Sequence, residues 1–157
     1  MSNDSKIMRW GVIVAAIIVV FRIVLEQLGS PEKVNSVFGV AWLYFILPVL
    51  FGLGIRAQNA AKPYLRLLKD VLLFAVYTRV MVMFTYMLAY IFSWKAPRFA
   101  YPGGTVGQNV SVLSGILIIP LRNLLGWVVA VTVIGMILGS ITLLLKRKSA
   151  SPVASEK

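Results

Sequence analysis

Two arginines stand inside apolar stretches of this sequence and are the residues most able to do chemistry. Arg22 lies in the apolar run 10–25, and Arg79 lies in the run 71–94. A guanidinium group stays charged in proteins. Near the centre of a bilayer that charge costs roughly 2.5–3.5 kcal/mol on insertion scales. Each arginine is therefore expected to have a partner that offsets this cost.

Few carboxylates are near enough in sequence to serve as that partner. Glu26 follows Arg22 by one helical turn and shares its face, whereas Asp70 falls at the edge of the apolar run that holds Arg79. Arg22 and Glu26 are expected either to pair within their helix or to form a polar site facing the bundle interior. With one carboxylate for two arginines, a positive charge is left over. This surplus charge predicts that a lipid phosphate, a carboxylate ligand or an acidic residue of a partner subunit lies nearby. The alternative is that backbone carbonyls and tyrosine hydroxyls accept the hydrogen bonds of Arg79.

Tyrosines follow Arg79 along one face of the same helix. Tyr86 and Tyr90 come seven and eleven residues after it, which is helical spacing. We therefore predict a site for a ligand or partner built from Arg22, Glu26, Arg79, Tyr86 and Tyr90. The alternative is that the tyrosine–arginine face is the packed side of a bundle helix.

Catalytic and metal-binding side chains are scarce. The sequence contains no His and no Cys, which removes imidazole bases, thiolate nucleophiles and the usual ligands of zinc, haem and iron–sulfur centres. The carboxylates are too few for an acid–base pair near the membrane. We predict no enzyme activity, no metal and no cofactor.

The elements that must carry these residues are long apolar helices. The chain is 59% hydrophobic and 13% charged, against about 45–50% and about 25% in soluble domains. We predict an all-α integral membrane protein, a bundle of four transmembrane helices over 10–148 with spans at about 10–28, 37–55, 71–94 and 124–145. Pro120, Arg122 and Asn123 interrupt the last apolar run. They predict a short interfacial or re-entrant segment at 111–119, within an outer loop and short helix at 95–123.

Charge predicts the orientation of these spans. Of the basic residues at the ends of the runs, ten fall on the side of both termini and four on the other side. The positive-inside rule then places the N-terminus (1–9) and a disordered tail (149–157) in the cytoplasm, in a bacterial inner or plasma membrane. Partners are the bilayer and its anionic headgroups, not nucleic acid, since no aromatic-basic reading surface is visible. The basic residues expected to contact those headgroups are Lys62, Arg66, Lys69, Lys146, Arg147 and Lys148.

A pair of glycines marks the last span as a helix-packing element. Gly135 and Gly139 are four residues apart, a spacing that lets two helices approach closely. The contact is expected either within the chain or between copies of it, so a homo-oligomer or another membrane-protein partner is possible.

These features favour a non-enzymatic membrane protein. The leading hypothesis is a small accessory or interaction subunit of a membrane assembly. The alternatives are a small carrier or channel for an anionic or amphipathic solute, and a lipid- or quinone-binding protein.

Overall fold

The computed structural model describes residues 3–100 and 102–145, and in that part of the chain the fold is helical, with no β-strand. The helices are α1 (Asn3–Gln27), α2 (Glu32–Val37), α3 (Leu43–Ala57), α4 (Pro63–Ile91) and α5 (Ile119–Leu144). Short 3-10 turns form at Val40–Trp42 and Pro97–Phe99, and a π-helical turn forms at Ser114–Ile118.

Four stretches are long and apolar enough to cross a membrane: Ser5–Gln27, Glu32–Ala57, Pro63–Ile91 and Ser114–Leu144. The prediction of an all-helical fold with four helices long and apolar enough to span a membrane is therefore confirmed. Helix α4 has 29 residues, or about 43 Å at 1.5 Å per residue, so it is longer than a hydrocarbon core of about 30 Å.

The helix ends follow from local backbone chemistry. Helix α1 is closed by Gly29 at φ 77°. The N–H groups of Gly29 and Ser30 donate to the carbonyls of Glu26 and Leu25, the pattern of a Schellman cap. Ser93, at φ 49°, takes the same role after α4. These caps turn the chain sharply and bring the connections 28–42 and 92–113 to one end of the bundle, here called the connector end.

The last helix differs from the prediction. Residues 111–119 do not form a separate segment followed by a span from Leu124, because the π turn Ser114–Ile118 runs directly into α5. The N–H of Ile119 donates to the carbonyl of Ser114, five residues earlier. Proline lacks an N–H and its ring crowds the carbonyl four residues back. The wider π turn just before Pro120 lets the helix continue past it.

Glycine contacts fix how the long helices pack. A Cβ at Gly135 would lie 2.6 Å from Val71 Cγ1, and one at Gly139 would lie 2.7 Å from Leu67 Cδ1, so α4 and α5 run antiparallel. A Cβ at Gly52 would lie 2.8 Å from the Gly139 carbonyl oxygen. Both glycines of the 135–139 pair thus pack inside the chain, against α3 and α4.

The core lies between α3 and α4, with α1 and α5 packed on both. Phe51 and Phe74 are fully buried and meet edge to face, and Tyr44 meets Phe74 in the same way. The outward faces are apolar too. Ile17, Val20, Phe84, Val129 and Ile137 are each more than half exposed. So wide an apolar exterior is unusual for a soluble protein and is typical of helices that face lipid.

Candidate functional site

Arg79 lies in the interior of the bundle, on α4, with 7% of its surface exposed. Its guanidinium carbon is 4.8 Å from the ring centroid of Tyr44 and 4.2 Å from that of Trp127. Contacts of this kind stabilise a cation by about 0.5–2 kcal/mol. The Nε atom is buried without a hydrogen-bond partner, and no carboxylate in the described residues pairs with the group. Within the part of the chain that the structure describes, Arg79 is thus a buried cation without an anionic partner.

The ring of Tyr44 is held in place by Thr78. The two hydroxyl oxygens are 3.0 Å apart. The Thr78 hydroxyl itself donates to the carbonyl of Phe74 at 2.8 Å, and it has only one hydrogen to give. Tyr44 is therefore the donor to Thr78. Because this hydrogen bond fixes the ring, Tyr44 is positioned to face Arg79 rather than turn away from it.

Glu26 receives two arginines at the connector end. Its Oε1 accepts from Arg22 Nε at 2.9 Å, and its Oε2 accepts from Arg98 Nε at 2.9 Å. Arg98 Nη2 also lies 2.8 Å from Oε2, though without hydrogen-bond alignment. The Glu26 side chain is only 3% exposed. This carboxylate neutralises one of the two guanidinium charges beside it.

Arg98 reaches this position because its turn is anchored to α4. Phe99 is fully buried and meets Tyr86 edge to face, with centroids 5.1 Å apart. Thr105 Oγ1 donates to the Tyr86 carbonyl at 3.0 Å. Burial lowers the pKa of Arg98 from its ordinary value, and the charge of Glu26 partly offsets this. An arginine pKa starts high enough that Arg98 remains charged.

A cavity of about 260 Å³ joins these groups. It lies between α1, residues 36–41, α4, the turn Pro97–Phe99 and α5. Its polar lining comes from Arg22, Arg79, Tyr86, Arg98 and Asn123, and its apolar lining includes Ile18, Val19 and Val82. Phe38 and Trp127, at 42% and 44% exposed, also line it and are here called its rim, and the exposed Ser36 belongs to the lining as well. The cavity thus combines positive charge and hydrogen-bond donors with half-exposed aromatic side chains.

A second, larger cavity of about 590 Å³ lies at the connector end. Glu26 and Pro97 line it, whereas their neighbours Arg22 and Arg98 line the first cavity. Asn35 also lines it, and its Oδ1 is buried without a hydrogen-bond partner. The Glu26 ion pairs therefore stand between the two cavities. Within the described residues, no group of three His, Cys, Asp or Glu side chains could hold a metal ion.

The structure brings together four of the five residues proposed from sequence. Arg22, Arg79 and Tyr86 line the first cavity, and Glu26 pairs with Arg22 next to it. Tyr90 does not join them, because its ring packs over Gly115 in the π turn. The eleven-residue spacing placed Tyr90 on the face of Arg79, but that face meets different neighbours along its length.

Sequence reasoning missed four contributors: Tyr44, Arg98, Asn123 and Trp127. Asn123 entered the sequence-based prediction only as an interruption of the last apolar run, and the other three were not proposed as site residues. A signal was present in the polar Arg122–Asn123 pair inside an apolar run. It did not show which helix those side chains would meet.

Three of the six basic residues expected to contact lipid headgroups form a surface at the start of α4. Lys62, Arg66 and Lys69 line one groove together with the exposed Leu65 and Leu72. Arg66 Nη2 donates to Gln58 Oε1 at 2.7 Å. The other three basic residues of that prediction, Lys146, Arg147 and Lys148, lie outside the described residues, as does the tail 149–157.

Comparison with known protein families, with curated proteins and with solved structures finds no match to this chain.

Proposed function

We propose that this chain is an integral membrane protein that binds the anionic group of an amphipathic molecule in the Arg79 cavity. One observation carries the proposal: Arg79 is buried and charged, lacks a carboxylate partner, and borders a cavity that also holds Tyr86 and Asn123. In this proposal the four long helices cross a bacterial inner or plasma membrane, with both termini in the cytoplasm.

The energetic balance of Arg79 supports a bound anion. Placing an arginine in a membrane helix costs about 2.5–3.5 kcal/mol. The two aromatic rings offset part of this, but a ring face accepts no directed hydrogen bond from the unpartnered Nε. An anionic oxygen in the cavity would supply both the charge and the acceptor. Charge-assisted hydrogen bonds of this kind are about twice as strong as neutral ones.

The opening of the cavity favours an amphipathic ligand over a small hydrophilic ion. Phe38 and Trp127 form its rim, and they lie on a surface whose neighbouring exposed side chains are apolar. A hydrocarbon chain attached to the anionic group could pass between these rings into the bilayer, while the charged group stays against Arg79.

The accessory-subunit hypothesis receives less support, because Gly135 and Gly139, the glycines expected to mark a helix contact, are occupied by contacts within the chain. A carrier or channel would need the same anion site together with a path across the membrane, so the binding site is the part of that alternative which the geometry favours.

Arg79→Gln tests the proposal. The protein is purified in a mild detergent, copurified lipids are identified by mass spectrometry, and binding of anionic and uncharged amphiphiles of equal chain length is measured by thermal stabilisation. We expect the wild type to prefer the anionic amphiphile and the variant to lose at least tenfold in affinity for it. The control is Arg9→Gln, an exposed arginine far from the cavity. Equal affinity in Arg79→Gln and the wild type would overturn the proposal.

A further inference from the structure

Resting on the proposed function, we infer that the anionic group bound in the Arg79 cavity is a phosphate monoester. Two features of the cavity distinguish among anionic groups: the net charge of its lining residues and the number of guanidinium groups that line it. A carboxylate and a phosphate diester are the competing chemistries, and each differs from a phosphate monoester in charge or in oxygen count.

The cavity carries an excess of two positive charges. Arg22, Arg79 and Arg98 all line it, and Glu26, paired with two of them, is the one carboxylate in contact with this group within the described residues. A phosphate monoester carries about −1.5 to −2 at pH 7, whereas a carboxylate and a phosphate diester carry −1. In a poorly solvated site an uncompensated charge is costly, so the monoester matches this lining best.

The donor groups of the residues that line the cavity also match a three-oxygen group. Arg79 Nε is buried without a hydrogen-bond partner. Arg98 directs its Nε and Nη2 at Glu26 Oε2 and carries further N–H groups on the same guanidinium. The two arginines belong to different elements, α4 and the turn Pro97–Phe99, so they approach the cavity from different sides. A terminal phosphate offers three strong acceptor oxygens, and guanidinium groups match phosphate geometry well. Asn123, on α5, can add an amide donor.

The size of the cavity sets what else can enter with the phosphate. About 260 Å³ is several times the volume that one water molecule needs, which leaves room for the phosphate and the alcohol to which it is esterified. The chains of a lipid would pass the rim at Phe38 and Trp127. The same phosphate chemistry occurs in soluble sugar or glycerol phosphates, so the test must separate these two sources.

Binding to the purified full-length protein in detergent tests the inference. The probes are lysophosphatidic acid, lysophosphatidylglycerol and a fatty acid of equal chain length, with glycerol 3-phosphate and inorganic phosphate as chain-free probes. We expect lysophosphatidic acid to bind at least tenfold more tightly than each of the others. Equal binding of the three anionic amphiphiles would overturn the phosphate-monoester inference and leave the proposed function standing. Failure of all three amphiphiles to bind would overturn both.

The chain-free probes identify the source of the phosphate. Weak binding of glycerol 3-phosphate beside strong binding of lysophosphatidic acid supports a lipid. Equal binding of the two supports the phosphate monoester but contradicts the amphipathic part of the proposed function.

Arg98→Gln provides a matched variant, because it lowers the excess charge from two to one. We expect its preference for lysophosphatidic acid over lysophosphatidylglycerol to fall at least fivefold. Cooperative thermal unfolding of the variant without ligand shows separately that the bundle remains folded. Lys95→Gln is the control, because Lys95 is an exposed cation of the same connection. An unchanged preference in Arg98→Gln would contradict the charge argument.

The pH dependence gives an independent readout. The second pKa of a phosphate monoester is about 6, so lowering the pH from 7.5 to 5 should weaken lysophosphatidic acid binding towards that of the diester, whose own binding serves as the reference. A fall of the same size for the diester would point to the protein and contradict the inference. The titratable and charged groups facing the phosphate are Arg22, Arg79, Arg98, Glu26, Tyr44 and Tyr86.

Discussion

At the residue scale, Glu26 and Arg79 show two ways of keeping charge inside a helical bundle. The Glu26 side chain is 3% exposed and is satisfied by two arginines, one on its own helix and one 72 residues later in the chain. Arg79 is covered by two aromatic rings instead. The charge of Glu26 is compensated by arginines of the same chain, whereas the charge of Arg79 has no carboxylate partner in the described residues. The difference explains why Arg79 is the better candidate for binding.

We predict that Glu26→Gln destabilises the protein. Removing one member of a buried ion pair leaves its partners uncompensated, which costs about 3 kcal/mol or more, so the melting temperature should fall by roughly 6–12 °C. The amide also removes the negative charge beside the cavity, so an anionic amphiphile should restore more stability to the variant than it adds to the wild type. Thermal unfolding in detergent, with and without the amphiphile, measures both effects.

The control for this prediction is Glu32→Gln, at an exposed carboxylate in the first turn of α2. It should change the melting temperature by less than a third as much. If the two variants melt together, Glu26 does not act as the buried counter-ion described above.

At the element scale, small residues decide how closely the helices approach. Gly52, Gly135 and Gly139 lie where α3, α4 and α5 meet, and a Cβ at each would lie within 3 Å of a neighbouring atom. Gly126, on the same helix α5, has nothing within 4 Å of a Cβ position. Two glycines on one helix therefore have opposite roles, and their sequence contexts alone do not distinguish them.

We predict that Gly139→Leu destabilises the bundle, whereas Gly126→Leu does not. Both changes raise helix propensity by up to about 1 kcal/mol, but the leucine at 139 would overlap Leu67 and the Pro48 carbonyl. Overpacking of this kind typically costs about 1–3 kcal/mol. Melting temperatures in detergent, with size-exclusion profiles to follow aggregation, make the comparison. Equal loss in both variants would show that position 139 is not a tight contact.

At the scale of the whole molecule, the connections divide between two ends. The connector end holds residues 28–42 and 92–113, with both cavities near it, and the opposite end holds the connection 58–62 and the basic start of α4. If the positive-inside rule applies, the connector end faces away from the cytoplasm. The anion site would then lie in the half of the membrane farther from both termini.

Single cysteines test this orientation, since the sequence contains no native cysteine. Gln108→Cys and Ala61→Cys lie at opposite ends, and both positions are exposed. In intact bacterial spheroplasts a membrane-impermeant maleimide should label Gln108→Cys, while Ala61→Cys should react only after the membrane is permeabilised. Labelling of Ala61→Cys alone in intact cells would reverse the proposed orientation, and equal labelling of both before permeabilisation would contradict a spanning topology.

The sequence by itself determined the helical class, the four long apolar stretches and the excess of arginine over carboxylate. Those properties are additive along the chain, because apolar transfer energy and charge accumulate residue by residue. The cap at Gly29 is equally local, since only the backbone near that residue decides it. The short segment predicted before Pro120 is not confirmed, because a π turn lets the last helix continue past that proline.

Only the tertiary structure decided which charges meet. Arg98 reaches Glu26 across 72 residues, and Trp127 covers Arg79 from another helix. Helix α4 is apolar on most of its surface, so its pattern does not fix which face turns inward. That rotation is set by close packing at Gly135 and Gly139 and by the anchored turn at Phe99. The arginine surplus was therefore visible in the sequence, but the cavity that holds it was not, since that cavity depends on contacts among five separate segments.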